Sequence, residues 1–181
     1  MLHWNGKCQV WRRKGEKFQP NCMKATVKHD KKIMVWGCIS AKSVGNLYRI
    51  NGNMNAKMYH QILIHHMKSS ASRLFGNRVW YFVHDNDPKH TAHLVKKYLE
   101  SKKINQLQWP PQSLDLNPIE NVWSEINRRT KNRNPKDKEE LFLIIKEEWE
   151  KLDISYLSKL FESMPRRCAS VIKNKDYPTK Y

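Results

Sequence analysis

A mixed α/β domain is the fold class that the sequence predicts. Three features carry it: β-branched and aromatic runs in the first half, a strand–helix alternation in the middle, and helical apolar spacing over the last third. Residues 9–12 form a short strand candidate. Residues 33–40 (IMVWGCIS) predict a longer strand, with Gly45 marking a turn before a partner strand over 47–50. Together these read as an antiparallel meander. Asn55 is placed to cap a helix whose stripe is Met58, Tyr59, Ile62 and Leu63, and Gly76–Asn77 stop it. Residues 79–83 (VWYFV) are a continuous apolar run, the pattern of a strand buried on both faces. That run leads directly into His84, Asp85, Asn86, Asp87 and Pro88. A helix from about Thr91 carries Leu94, Val95, Tyr98 and Leu99, and a short strand at 106–109 ends on Pro110 and Pro111. Asn117 with Pro118 starts a helix with the stripe Ile119, Val122, Trp123 and Ile126. A second helix buries Leu141, Ile144, Ile145 and Trp149, and a last pair spans 157–161 and 168–172.

The 181 residues suit one domain with a real core, taken as 1–181. Lys and Arg number 34 against 17 Asp and Glu, for a formal net charge of +17. That excess points to a polyanionic partner, nucleic acid first and an anionic membrane surface second. No apolar stretch is long enough to span a membrane, and the N-terminus lacks a signal-peptide apolar core. Cys8, Cys22, Cys38 and Cys168 are scattered without a C-x-x-C pair, which argues against a zinc ribbon and for reduced thiols. The histidines, including adjacent His65 and His66, lack metal-ligand spacing.

Two acidic residues stand out. Asp85 lies at the C-terminal end of the 79–83 strand, where ligand sites of α/β sheets form. Glu120 lies in the first turn of the helix opened by Asn117. Carboxylates gathered by a fold stay ionised when a cation sits between them, and hard oxygen donors select magnesium or manganese. Structural roles compete with this. Asp85 and Asp87 suit an Asx-turn before Pro88, and Glu120 suits a capping box with Asn117 or the positive end of the helix dipole.

The segments HDNDPKHTA (84–92), WPPQSLDLNPIENVW (109–123) and SMPRRCASVIKNKDYPTKY (163–181) resemble the catalytic domain of the Tc-one/mariner superfamily of DNA transposases. VKHDKKIMVWGCIS (27–40) resembles its first-half strand segment, so the likeness runs over nearly the whole chain in order. The resemblance implies a ribonuclease H-like mixed sheet flanked by helices. It also implies an active site of Asp, Asp and Glu, in which Asp85 matches the second Asp and Glu120 the Glu, with 34 residues between them. It implies two magnesium or manganese ions, DNA as partner, a second transposase chain as a further partner, no membrane role and nuclear action. Arg128, Arg129, Lys131 and Arg133 form a basic run at the end of the Glu120 helix. They complement the helix dipole, and the resemblance favours contacts to DNA phosphates; Arg166 and Arg167 read similarly.

The family's first Asp sits on the first, central strand, about sixteen residues before the position matched by Trp11, hence ahead of Met1. No acidic residue stands among Leu2 to Val10, and Asp30 occupies a turn where relatives carry Gly. The helix-turn-helix modules of the family have no counterpart here, and Leu114 replaces the Pro usual before Asp115. The expectation is a catalytic-domain fragment that binds DNA and is inactive alone. The alternatives are a non-enzymatic DNA-binding or regulatory module derived from a transposon, or a remnant without function. His90 reads as a cap or surface residue, with phosphate contact as the other option. Trp36, Trp80, Trp109, Trp123 and Trp149 read as core rather than as base-stacking platforms.

Overall fold

The computed structural model describes residues 32–173 except 112, 114 and 115. The strand expected at 9–12, the Leu114–Asp115 position and the end of the 163–181 segment lie outside the described residues.

Two strands, β1 (Met34–Ile39) and β2 (Val44–Ile50), pair antiparallel in the register Met34↔Ile50, Trp36↔Tyr48 and Ile39↔Val44, with an irregularity between Gly37 and Ile39. The turn between them is organised by Ser40, whose hydroxyl donates to Ser43 O at 3.0 Å and accepts from the amides of Lys42 and Ser43. Gly45 is therefore not the turn residue expected; it lies inside β2. Its reason is close approach, because a Cβ there would sit 2.3 Å from Cys38 Sγ and 2.9 Å from Ser70 Cβ.

Helix α1 (Ala56–Ile62) starts at Asn55, whose side chain accepts from the Met58 amide at 2.9 Å. It runs through one π-helical turn, Leu63–Met67, into α2 (Lys68–Phe75), which ends at Gly76 with φ +56°. The buried positions Tyr59, Leu63, Met67 and Ala71 fall at every fourth residue. In a regular helix that spacing drifts by about 40° per step, and a wider turn brings the stripe back.

The segment 79–83 departs from its expectation. Only one face is buried: Phe82 is in the core and Trp80 packs against it, whereas Val79 is 78% and Tyr81 63% exposed. Pairing is a single parallel bridge, with the Phe82 amide donating to Asn105 O at 2.8 Å and the Leu107 amide to Phe82 O at 3.0 Å. The expected strand at 106–109 likewise reduces to that bridge. An apolar run does not say whether both its faces are covered, and nothing among the described residues covers Val79 and Tyr81.

Helix α3 (His93–Ser101) buries Val95, Tyr98 and Leu99; Leu94, expected on that stripe, is exposed because the turn rotates it outward. Helix α4 (Pro118–Thr130) begins as expected at Asn117, whose side chain accepts from the Ile119 amide at 3.4 Å. Asp137 caps α5 (Lys138–Glu150) and Asp153 caps α6 (Ile154–Glu162), which α7 (Met164–Lys173) follows.

The hairpin lies between two cores. Tyr59, Leu63, Met67, Phe82, Val95 and Leu99 form one, with Trp36 packed against it. Val122, Trp123, Ile126, Ile145, Trp149 and Leu157 form the other, which receives Val35, Ile39, Val44 and Leu47. Alternation along β1 thus sends Trp36 to one side and Val35 and Ile39 to the other. Trp149 is 1% exposed, stacks on Trp123 with ring centroids 5.0 Å apart, and donates from Nε1 to Gly45 O at 2.9 Å. Gly37 admits this indole, since a Cβ there would lie 2.7 Å from Trp149. Among the described residues no helix is long and apolar enough to cross a membrane.

Candidate active site

Asp85 emerges from the Phe82 bridge into a loop pinned by side chains. Asn86 Nδ2 donates to Trp109 O at 2.8 Å, which ties the loop to the neighbouring segment. The Asp87 amide donates to Asp85 Oδ1 at 3.2 Å, so the Asx-turn expected here forms. Asp87 spends both its oxygens locally, Oδ1 on the Lys89 amide at 3.0 Å and Oδ2 on Lys89 Nζ. The two neighbouring aspartates therefore differ: Asp87 closes a turn, and Asp85 keeps Oδ2 free of any described hydrogen bond.

Asp85 Oδ1 meets His90 Nδ1 at 2.5 Å. That hydrogen bond, ahead of the opposing effect of burial, holds the Asp85 carboxyl down to about 2. Behind it lies a stack of rings. Tyr59 and His90 have centroids 4.0 Å apart, His84 and His90 5.7 Å, and Tyr59 Oη bonds His84 Nδ1 at 3.0 Å. Burial pushes the Tyr59 hydroxyl up, with the Asp85 charge adding to it. Burial pushes His84 down to about 4, with His90 adding to it. The neutral His84 is the form the fold accommodates, so stability is complete above its ordinary 6.5 and falls as pH drops from there through about 4. The expected NMR titration of the His84 ring has its midpoint near pH 4, and a midpoint near 6.5 contradicts this packing.

Glu120 occupies the first turn of α4 and is half-buried. Its carboxylate has no hydrogen bond or ion pair among the described residues. The Asn117 side chain accepts from Ile119, and Glu120 does not reach back to complete a capping box. A half-buried carboxylate in the first turn of a helix is favoured by the positive end of the helix dipole. Among the described residues no three His, Cys, Asp or Glu side chains gather into a metal site.

The basic run divides. Arg128 binds Glu125 through two hydrogen bonds of 2.8 Å yet keeps 72% of its side chain exposed. Arg129 pairs with Glu125 at 2.7 Å and Glu148 at 3.8 Å. Arg133 pairs with Glu147 at 2.9 Å and Glu148 at 3.6 Å. Arg129 and Arg133 thus join α4 and its C-terminal turn to α5, while Lys131 is exposed and has no partner among the described residues. Arg167 is buried and donates to Asn121 Oδ1 at 2.8 Å, so it joins α7 to α4. His90, expected as a cap or surface residue, instead packs its ring against Tyr59 and meets the Asp85 carboxylate.

A family model described as DDE superfamily endonuclease matches residues 6–142. The chain belongs to that family. Within this DDE family its relatives are transposases of the Tc1/mariner kind. It is 42% identical over 168 residues to the transposable element Tcb1 transposase of Caenorhabditis briggsae, covering 92% of this chain and 61% of that protein. It is 38% identical over 178 residues to the Tc1 transposase of Caenorhabditis elegans, covering 98% and 65%. The chain therefore spans somewhat less than two thirds of the length of these relatives. The fold is that of the ribonuclease H-like Mos1 mariner transposase catalytic domain, with a TM-score of 0.76 at 20% identity over 83% of this chain and 77% of that one. A pre-cleavage Mos1 transpososome superposes with a TM-score of 0.80 at 20% identity, over 96% and 52%.

Proposed function

We propose that this chain is the catalytic region of a cut-and-paste DNA transposase, in which Asp85 and Glu120 hold a divalent ion at the strand-cleavage site. The observation that carries the reading is the contrast between Asp87, whose oxygens are spent, and Asp85 and Glu120, which keep donor oxygens unspent among the described residues. Solved Mos1 structures include a paired-end complex with the left transposon end and catalytic domains with magnesium or manganese, which supports DNA and such an ion for this site. When bound, magnesium or manganese supplies Lewis-acid polarisation of the scissile phosphate. Asp85, ionised throughout the neutral range, anchors the ion from one side. Glu120 adds a second carboxylate from the start of α4, and the helix N-terminus favours negative charge beside it. Action on DNA in this way assigns the protein to the nucleus, with a second transposase chain as partner when two element ends are held.

The four basic residues contribute unequally. Arg128 and Lys131 face solvent and contact the phosphate backbone; Arg129 and Arg133 serve α5 first. On duplex DNA each phosphate contact contributes about −0.9 to the log–log salt slope. Arg128→Ala and Lys131→Ala are each expected to flatten the slope by about one such unit, whereas Arg129→Ala lowers stability more than DNA affinity. A fluorescent-duplex titration at rising salt reads this, and an unchanged slope in the Arg128 and Lys131 variants removes them from the DNA face.

The polypeptide of residues 1–181 carries two of the family's three carboxylates in matching places. Two-ion phosphoryl transfer needs a bridging carboxylate to keep the ions roughly 3.5–4 Å apart. The expected result is that this polypeptide binds a transposon-end duplex without nicking it, and nicks it once a strand bearing the first Asp is joined. Manganese-dependent nicking by residues 1–181 alone, abolished by Asp85→Ala, would show that two carboxylates suffice. Failure of the joined protein to cut would favour a DNA-binding role without catalysis.

A further inference from the structure

Asp85 uses its two oxygens unequally. Oδ1 meets His90 Nδ1 and accepts from the Asp87 amide, while no described residue bonds Oδ2. His90 is not a solvated surface group. Its side chain is 14% exposed, its ring lies on Tyr59, and its amide donates to Asp87 O at 2.8 Å. Nε2 is buried without a hydrogen-bond partner among the described residues. A neutral imidazole has one donor and one acceptor nitrogen. Asp85 Oδ1 takes a donor, so the proton belongs on Nδ1 and Nε2 keeps the bare lone pair. A proton on Nε2 would instead bury an N–H with no acceptor.

We propose that His90 is the positioning residue of Asp85: it fixes the carboxylate through Oδ1, leaves Oδ2 as the oxygen offered to a cation, and is itself held in plane by Tyr59. The inference rests on the metal-site reading of Asp85 above. Hydrogen bonds to a ligating carboxylate set its orientation, and losing such a partner typically costs about 10–100-fold in metal affinity. His90 touches neither substrate nor ion in this account; it acts through Asp85.

The test is direct manganese binding to the 181-residue chain, read by the EPR signal of free Mn2+, without DNA or turnover. His90→Leu fills the buried space and lacks a donor; His90→Asn keeps an N–H on a similar frame. The leucine variant is expected to bind manganese at least about 10-fold more weakly, with the asparagine variant within about threefold of the native chain. Asp85→Ala abolishes this binding. Native-like affinity in Asp85→Ala sinks the metal-site reading, whatever His90 does. Loss in Asp85→Ala together with native affinity in His90→Leu overturns the positioning role alone. Imidazole 15N NMR of the native chain decides independently of any variant's folding: a protonated Nδ1 supports the assignment, and a protonated Nε2 contradicts it.

Discussion

Replacing Asp85 or Glu120 by alanine is expected to lower DNA strand cleavage by roughly 10³-fold in a form of this protein that cleaves DNA. The figure follows from the several kcal/mol that a bound ion gives to the charge of a phosphoryl-transfer transition state, at about 1.36 kcal/mol per tenfold in rate. The two residues act as a unit, so the double variant should be little worse than either single one. Asp87→Ala is the matched control, two residues away in the same loop. Its oxygens hold the Lys89 amide and ammonium, so its loss slackens a turn without removing a ligand. Cleavage in Asp87→Ala should stay within about tenfold of the parent. A denaturing-gel assay on a nick-labelled transposon-end duplex separates these outcomes. Equal losses in Asp85→Ala and Asp87→Ala would mean that the loop, rather than one carboxylate, is what the site needs.

The largest stability effect is expected at Trp149. Its indole is 1% exposed, stacks on Trp123 and bonds Gly45 O across 104 residues of sequence. Trp149→Ala empties the centre of the core shared by α4, α5 and the hairpin, at a cost of about 3–5 kcal/mol. The carbonyl of Gly45 also loses its donor, and a buried unmet acceptor adds to the cost. For a chain of this size the melting temperature should fall by roughly 6–20 °C. Trp149→Phe keeps the ring contact and removes only the N–H, so its loss should be closer to about 1–2 kcal/mol. Thermal melts followed by far-UV circular dichroism give both values. A melt of Trp149→Ala within about 2 °C of the native chain would place the indole outside the cooperative core.

What the sequence discloses here depends on whether a signal is local. The Asn117–Pro118 start of α4 and the Asn55 cap were legible because a cap is made within three residues. Gly76 as a helix end was legible for the same reason. Gly45 was misread, because a glycine that opens a turn and one that admits a neighbouring side chain look alike until Cys38 and Ser70 are in place. The 79–83 run was overestimated as doubly buried, since hydrophobicity records what a face prefers and not what covers it. Asp85 and Glu120 are candidates that motif spacing singles out. His90 draws little weight from the sequence because its surroundings are tertiary: Tyr59, more than a helix away in sequence, places its ring 4.0 Å from the imidazole. The basic run was read as one surface, yet Glu147 and Glu148 on α5 claim Arg129 and Arg133, a pairing that no local pattern reveals.

The central claim is that Asp85 and Glu120 serve one metal site. It is tested most directly by adding sub-stoichiometric Mn2+ to the isotopically labelled chain and recording paramagnetic broadening of its amide signals. Broadening that strikes Asp85–Asn86 and Glu120–Asn121 together, and disappears from both places in Asp85→Ala, is the predicted result. Broadening confined to one of the two segments, or unchanged by Asp85→Ala, would contradict the account.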